Sequence, residues 1–506
     1  MKKPNLIYIL ADDMGYGDVS CLNPESAFRT PNFDRLGREG MIFTDAHATS
    51  ALCTPSRYGI LTGRYNWRSA LKSGVLVGYS APLIEEGRKT LGNLLQENGY
   101  TTACVGKWHL GMGWRRKDGS LLGDWNEFNR CPDVDYSAAI AGSPVTRGFD
   151  YFYGISASLD MPPYVYIEND RPTYAPDHEY PGVMPDGSGK PVPALSRPGP
   201  CAPDFRHEDV LPHLTEKALE KISEYKDRPF FLYFALPAPH TPILPSPEFL
   251  GKSGTNVYGD FCLMCDDAVG QILRKLEEEG IAENTIVAYA SDNGCAPHAD
   301  FAALAEKGHN PSYHFRGHKA DIYEGGHRVP FLVRWPAGIR AGQTCGETVC
   351  LCDMMATMAE ILGVPLPDNM GEDSVSLLPL WQGKELDHPV REATVHQSDD
   401  GSLSIRVGRY KLEMCPGSGG WSYPRPNTPE SEGLYPFQLY DLEADVGERR
   451  NLAEAKPEIV REMAALLARY VREGRSTPGK PQKNDGVPIW ATVRWLGEEP
   501  FSPAGK

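Results

Sequence analysis

The first two thirds of the chain alternate short, predominantly apolar runs with longer amphipathic stretches. Residues 5–10, 101–105, 229–235, 284–290 and 331–335 are short, predominantly apolar runs. A strand built from such a run buries both faces, as strands of a parallel sheet do between helical layers. Residues 41–46 read as a further strand. Between these runs, residues 31–40, 90–98, 210–225, 258–279 and 353–362 place apolar side chains at helical spacing. Gly40 and Gly99 stand where helices would stop. From about residue 391 the texture changes. Residues 393–396, 404–407, 410–413 and 437–440 read as short strands separated by turns, the pattern of an antiparallel sheet. A helix over 457–474 and a Pro- and Gly-rich tail from Ser476, expected to wrap the surface, complete the chain. The pattern predicts an α/β fold. A large, mostly parallel sheet flanked by helices occupies 1–390. A smaller subdomain over 391–506 holds a four-stranded antiparallel sheet, a helix and the tail. Residues 115–209 lack periodicity, and so long an irregular stretch inside an enzyme is functional or an insertion.

A chain of 506 residues, 41% hydrophobic, is long enough for one large domain with a smaller companion. The net charge of −16 argues against a nucleic-acid surface. It leaves an anionic substrate open, because cations within a pocket can outweigh the global field. Twelve scattered cysteines are too sparse for a disulfide scaffold. Cys262 and Cys265 form a C-x-x-C in a helical run, with no second pair to complete a zinc site, so they read as core; Cys350 and Cys352 read the same way. No membrane span is visible. Met1-Lys2-Lys3 precedes only the short run that reads as the first strand, too short for a signal segment. As written the chain is expected to be cytoplasmic, or periplasmic or secreted if a leader has been removed.

Six places carry chemistry. Residues 53–63 read C-T-P-S-R-Y-G-I-L-T-G. Pro55 suits a first helical turn, where its missing N–H is no loss. Cys53 then sits just ahead of a helix N-terminus, where the dipole favours negative charge. A buried structural cysteine and an ordinary thiolate beside Arg57 are the competing readings. Asp12 and Asp13 follow the first strand, and Asp292 and Asn293 follow the strand at 284–290. Adjacent carboxylates at the ends of parallel strands read as oxygen ligands for Ca²⁺ or Mg²⁺, or as solvated turns. Lys107 and His109, two apart, would point to one side of an extended segment and suit an anion and a proton relay. His240 lies among prolines after the strand at 229–235, and Lys319 lies in F-R-G-H-K ahead of E-G-G-H-R-V-P.

The string at 53–63 resembles the signature of type I sulfatases, of the alkaline phosphatase superfamily. Residues 99–111, ending G-K-W-H-L-G, resemble the second signature of that family, and 316–330 resemble its R-x-x-K…E-G-G-x-R-x-P segment. Residues 440–443 and 448–452 resemble its C-terminal subdomain. The C-terminal part, with Asn484-Asp485-Gly486, is similar to the bacterial arylsulfatase and galactosamine-sulfatase branch. The resemblance implies the alkaline-phosphatase-like sulfatase fold. It implies that Cys53 is oxidised to formylglycine by a formylglycine-generating or anaerobic sulfatase-maturing enzyme. It implies one Ca²⁺, rather than Mg²⁺, held by Asp12, Asp13, Asp292, Asn293 and residue 53, with Arg57, Lys107 and Lys319 as fixed positive charge. In the family mechanism a hydroxyl of the hydrated aldehyde attacks sulfur. His240 or Lys319 then protonates the leaving oxygen, and His109 takes the proton that expels sulfate. The implied substrate is an O-sulfated carbohydrate, with a pocket built from 115–209 in which Asp160, Tyr164 and His207 are candidates. The alternatives are a phosphonate monoester or phosphodiester hydrolase of the same superfamily, or a non-catalytic sulfoglycan-binding relative. A thiol phosphatase fails on spacing, because it needs C-x₅-R and Arg57 follows Cys53 by four.

Overall fold

The computed structural model describes residues 2–128, 130–185, 191–193 and 196–497. The apolar runs meet in one ten-stranded sheet. Its strands are β1 (Asn5–Ala11), β2 (Met41–Phe43), β3 (Thr101–Lys107), β4 (Tyr151–Ile155), β5 (Ile167–Glu168), β6 (Arg171–Pro172), β7 (Phe230–Ala235), β8 (Thr285–Ser291), β9 (Phe331–Arg334) and β10 (Gln343–Cys345). They lie in the order β10-β2-β9-β8-β1-β7-β3-β4-β5-β6. The central strands β8, β1, β7, β3 and β4 all run parallel. β9 runs against its neighbours β8 and β2, and β5 and β6 close one edge as an antiparallel ribbon.

Every residue of β1, β7 and β8 is buried, as consecutive apolar positions require. The helices are α1 (Pro31–Arg38), α2 (Cys53–Thr62), α3 (Leu91–Glu97), α4 (Val210–Tyr225), α5 (Val257–Glu278) and α6 (Met354–Leu362). They form two layers: α1 and α4 pack on α5, while α2 and α3 pack on α6. The strand register explains this. Ile9 lies beside Tyr289, whose ring stacks on Phe33 of α1. Tyr8, one position earlier, therefore points to the other face, where Cys350, Cys352 and Asp353 lie close enough to influence its phenol. Cys262 and Cys265 are core residues of α5 as expected.

Two sequence expectations are corrected. The strand expected over 41–46 stops at Phe43. Ala46–His47 pairs separately with Val349–Cys350, because the buried Asp45 between them turns to bind Arg406, Arg328 and His47. Within the irregular 115–209 stretch, β4 pairs with β3 as part of the main sheet. Its run Tyr-Phe-Tyr-Gly-Ile is short and lies inside a long aperiodic stretch, which is why periodicity passes over it.

The C-terminal strands β11 (Thr394–Gln397), β12 (Leu403–Val407), β13 (Tyr410–Glu413) and β14 (Gln438–Asp441) form a four-stranded antiparallel sheet covered by α7 (Pro457–Glu473). Tyr65 and Trp67, just after α2, are buried in its core. Arg68 sits 4.1 Å over the Trp67 ring and pairs with Asp373 at 2.8 Å, both fully buried. The tail lies against the same segment: Arg64 donates to the Lys483 carbonyl and pairs with Asp485, and Lys72 donates to the Asp485 carbonyl. Residues 498–506 of the expected tail lie outside the described residues.

His327 and His396 stack on each other with ring centroids 3.8 Å apart, and His47 packs tilted against both, all three fully buried. Burial, then the charge of Lys411, holds His327 well below its ordinary 6.5; burial and the two neighbouring histidines do the same for His396. Asp45, Glu324 and Arg406 complete the charged surroundings of the cluster. A histidine whose folded value is depressed stabilises the fold above its unfolded value, and that stability is lost as pH falls. Below pH 6.5 each of these two histidines is expected to cost about 1.4 kcal/mol per pH unit. The thermal midpoint should therefore fall steeply toward pH 5.5, and His396→Gln should flatten that slope. An unchanged slope in the variant would assign the acid sensitivity to other groups.

Candidate active site

The chemistry gathers at the C-terminal ends of four adjacent parallel strands, where open α/β sheets bind their ligands. β1 ends at Ala11 and delivers Asp12 and Asp13. β8 ends at Ser291 and delivers Asp292 and Asn293. β3 ends on Lys107, and β7 leads through Pro237 and Pro239 to His240. The fifth contributor is α2. Its first residue is Cys53 itself, one step further in than the sequence suggests, with Leu52 as the extended N-cap. Arg57, one turn along, is fully buried and points back into the carboxylates.

Each carboxylate has its own cation. Arg57 donates from Nε and Nη2 to Asp292 Oδ2, at 3.0 and 2.8 Å. Its Nη1 reaches the Lys107 carbonyl at 3.0 Å, which ties α2 to the end of β3. The Lys107 ammonium donates to Asp12 Oδ2, and the Lys319 ammonium to Asp13 Oδ2, both at 2.7 Å. His240 Nε2 lies 3.6 Å from Asp13 Oδ2, and Asn293 Nδ2 donates to Asp13 Oδ1 at 2.8 Å. Asp13 adopts φ of 66°, a left-handed conformation costly outside glycine, and it is what turns the two adjacent carboxylates into one cluster.

The electrostatics follow from burial and these pairs. Burial alone would keep Asp12 neutral, but Lys107, His240, Arg57 and Lys319 outweigh it and hold its carboxyl well below the usual range. Burial and the Asp12 charge push Asp292 up to about 7. Burial raises the Cys53 thiol to about 11, despite Lys107 and Lys319. Burial thus weighs against the ordinary thiolate reading of an unmodified Cys53.

The oxygen set fits a hard divalent cation. Asp12 Oδ1 and Asn293 Oδ1 are buried without a hydrogen-bond partner. Such orphans carry a full desolvation cost unless something positive meets them. Carboxylate and carboxamide oxygens are the donors that Ca²⁺ or Mg²⁺ takes. The cluster of Asp12, Asp13 and His240 is also compact enough for one ion.

Lys107 and His109 come together differently from the extended-segment expectation. β3 stops at Lys107, and His109 takes φ of 55°. Its side chain still lies within reach of Lys107, Arg57 and Asp12, whose charges act on it. Its Nε2 faces the Leu76 carbonyl at 2.8 Å and so carries the proton. Burial, reinforced by Lys107, keeps the ring neutral, and Nδ1 is left as a bare nitrogen with no partner.

Of the three candidates from 115–209, Asp160 reaches the cluster: its Oδ1 lies 4.0 Å from His240 Nδ1, and its Oδ2 pairs with Arg197 at 2.5 Å. Tyr164 and His207 pack against each other at 4.6 Å within an aromatic group that includes Phe205 and Tyr180. Tyr164 is 1% exposed and donates its hydroxyl to the Arg197 carbonyl, so the structure sets it in the wall behind Asp160 rather than in the cleft. Sequence reasoning passed over Arg197, His298 and Trp421. None lies in a motif, and Trp421 arrives from the segment between β13 and β14, 5.9 Å from the Lys319 ammonium.

The sulfatase family profile matches residues 4–364, and the chain belongs to the sulfatase family: it is a sulfuric ester hydrolase. Among its relatives, the N-acetylgalactosamine-6-O-sulfatase of Bacteroides thetaiotaomicron is 35% identical over 92% of this chain and 93% of its own. Human arylsulfatase A is 32% identical over 92% of this chain and 87% of its own. A solved structure described under metabolism of multiple glycosaminoglycans by Bacteroides thetaiotaomicron superposes with a TM-score of 0.77 at 34% identity, covering 92% of this chain and 99% of that one. Among the described residues, no helix is long and apolar enough to cross a membrane.

Proposed function

We propose that this hydrolase removes sulfate from an O-sulfated hexose or hexosamine of a glycan, with residue 53 as the nucleophile. The observation that carries the reading is the buried set of Arg57, Lys107 and Lys319 around carboxylates that open at the first turn of α2. A sulfate monoester is a stable anion, so its hydrolysis needs fixed positive charge where oxyanion charge sits. The curated relatives named for sulfated galactosamine support the carbohydrate class.

Asp12, Asp13, Asp292, Asn293 and residue 53 would hold the divalent cation, Ca²⁺ on this reading, and it would supply Lewis-acid polarisation of the sulfate oxygens. Conversion of Cys53 to formylglycine, by a formylglycine-generating or anaerobic sulfatase-maturing enzyme, would supply a hydrated aldehyde in place of an inert thiol. Around it, Arg57 orients Asp292 and anchors the end of β3. Lys107 and Lys319 pair with Asp12 and Asp13, the carboxylates that would border the sulfate. His240, whose Nδ1 is held by the Thr241 carbonyl at 2.7 Å, presents Nε2 toward Asp13 and the cleft. With Lys319 it is placed to protonate the leaving oxygen. His109, neutral with a bare Nδ1, is the base that accepts a proton in the second half of the reaction. Asp160 Oδ1 lies 4.0 Å from His240 Nδ1 without a hydrogen bond to it. The twelve unpaired cysteines suit a reducing compartment.

The test is a kinetic panel of sulfated monosaccharides and oligosaccharides beside phosphate diesters and phosphonate esters. The expected result is sulfate release from a sulfated hexosamine with the highest kcat/KM. Faster turnover of the phosphorus esters would favour the phosphodiesterase reading. Binding without turnover by fully converted protein would favour a sulfoglycan-binding role.

A further inference from the structure

His109 can act as a base through Nδ1 only while its proton stays on Nε2. A neutral imidazole donates at one nitrogen and accepts at the other, and the partner of one nitrogen sets the role of the other. The Leu76 carbonyl is that partner, 2.8 Å from Nε2. Leu76 belongs to no strand or helix; it lies in the loop segment between α2 and α3. A loop carbonyl fixes a tautomer only as firmly as the loop itself is held.

Two buried hydroxyls hold it, one on each side. Thr54, the second residue of α2, is fully buried, and its Oγ1 accepts from the Leu76 N–H at 3.2 Å. The Leu76 carbonyl and the Val77 N–H belong to one planar peptide unit, and that N–H donates to Ser80 Oγ at 2.9 Å. Ser80 is buried as well. Its backbone N–H returns to the Val77 carbonyl at 3.1 Å, and its hydroxyl proton faces the Trp125 carbonyl and Asn126 Oδ1, each 2.8 Å away. The peptide unit cannot swing its carbonyl away from His109 without breaking the Ser80 bond. A bonded N–H also makes the carbonyl of its own peptide unit the stronger acceptor. His109 is held from its backbone too, for its N–H donates to the Ser156 carbonyl at 3.0 Å.

We propose that Thr54 and Ser80 are positioning residues for the second half of the reaction: through Leu76 and the peptide unit it shares with Val77, they keep the His109 proton on Nε2 and leave Nδ1 bare. The inference rests on the reading of His109 as the base of that half. In the opposite tautomer the Nε2 lone pair would face the carbonyl oxygen, and a proton on Nδ1 would block the base. Once Nδ1 takes a proton, the ring is an imidazolium with a donor at each nitrogen, and the Leu76 carbonyl still accepts from Nε2. The contact that sets the tautomer beforehand therefore steadies the charge afterwards.

The test follows phenol release from an aryl sulfate by full-length converted enzyme after rapid mixing. Phenol leaves in the first half, so the first turnover reports that half and the steady state reports the slower of the two. Thr54→Val and Ser80→Ala should each lower the steady-state kcat about tenfold while the first-turnover rate stays within about twofold of the wild type. A burst of about one phenol per converted site should then precede the slow phase. Thr54→Ser keeps the hydroxyl and should behave as the wild type. Thr54→Val and Ser80→Ala each leave a buried N–H unpaired and lower stability, so rates are compared well below each thermal midpoint. Thr54 adjoins the residue that is converted, so hydrazide capture counts converted sites and rates are given per site; Ser80 lies outside that string. His109→Ala tests the reading underneath and should show the same burst with a slower second phase. A burst in His109→Ala that is absent from both Thr54→Val and Ser80→Ala, or an equal slowing of both phases in these two, would overturn the positioning role alone. His109→Ala with no burst would overturn the base reading and the positioning role with it.

Discussion

Replacing Cys53 with alanine is expected to lower kcat on sulfate esters by about 10⁴-fold or more, with the fold intact. The side chain is 2% exposed at the first turn of α2, packed among groups that are themselves tied down by ion pairs. Removing one sulfur from that position costs about 1 kcal/mol in packing, so the thermal midpoint should barely move. The loss would therefore be chemical. No other hydroxyl or thiol is identified that can take over: Ser56 donates its hydroxyl to the Ser50 carbonyl, and Thr54 accepts from the Leu76 N–H. Cys53→Ser should fare little better, because a serine hydroxyl has no second oxygen on the same carbon to expel sulfate. A variant that keeps a tenth or more of the wild-type rate on a sulfated sugar would place the nucleophile elsewhere.

Removal of the divalent cation is the second large effect. Asp12, Asp13 and Asp292 are buried together, and two oxygens in the set, Asp12 Oδ1 and Asn293 Oδ1, have no hydrogen-bond partner, although Arg57 Nη2 lies 3.6 Å from the former. Calcium bound at a thousandfold excess over its Kd should stabilise the fold by about 4 kcal/mol, seen as a midpoint that falls on chelation and recovers with added calcium. Magnesium should restore less, because it demands tighter octahedral geometry and gives up water reluctantly. Part of the gain is offset within the site. The ammonium groups of Lys107 and Lys319 already neutralise Asp12 and Asp13, and an entering dication must compete with them. In Lys107→Met, Asp12 loses its partner, so the calcium-induced shift should be larger than in the wild type. A midpoint indifferent to chelation in both proteins would mean that these oxygens hold no ion.

Much of this site was legible because its parts are written as strand ends. A wholly apolar run followed by Asp-Asp, Asp-Asn or Gly-Lys says both that the strand is central and that its end faces a ligand. Asp12, Asp13, Lys107, Asp292 and Asn293 come together for that reason. Arg57 was legible as the fifth residue of a helix-opening string. What stayed hidden depends on backbone turns and long-range docking. The left-handed His109 defeats an argument from strand alternation, since one positive φ redirects a side chain without changing the sequence pattern. β4 was missed because five residues within a long aperiodic stretch carry too little signal. Tyr164 and His207 looked like pocket residues only because they lie in that stretch; their rings pack on each other instead. Trp421 approaches Lys319 across a hundred residues of chain, through hydrogen bonds to the Asp321 carboxylate that no local pattern foretells.

The central claim is that residue 53 works as an aldehyde and not as a thiol. Trypsin cuts after Arg38 and Arg57, and the mass of the peptide between them reports the chemical state of residue 53 directly. Protein that releases sulfate should yield a peptide in which the thiol is replaced by a carbonyl, captured by a hydrazide, in proportion to the measured activity. Fully active protein whose peptide carries only unmodified cysteine would contradict the account.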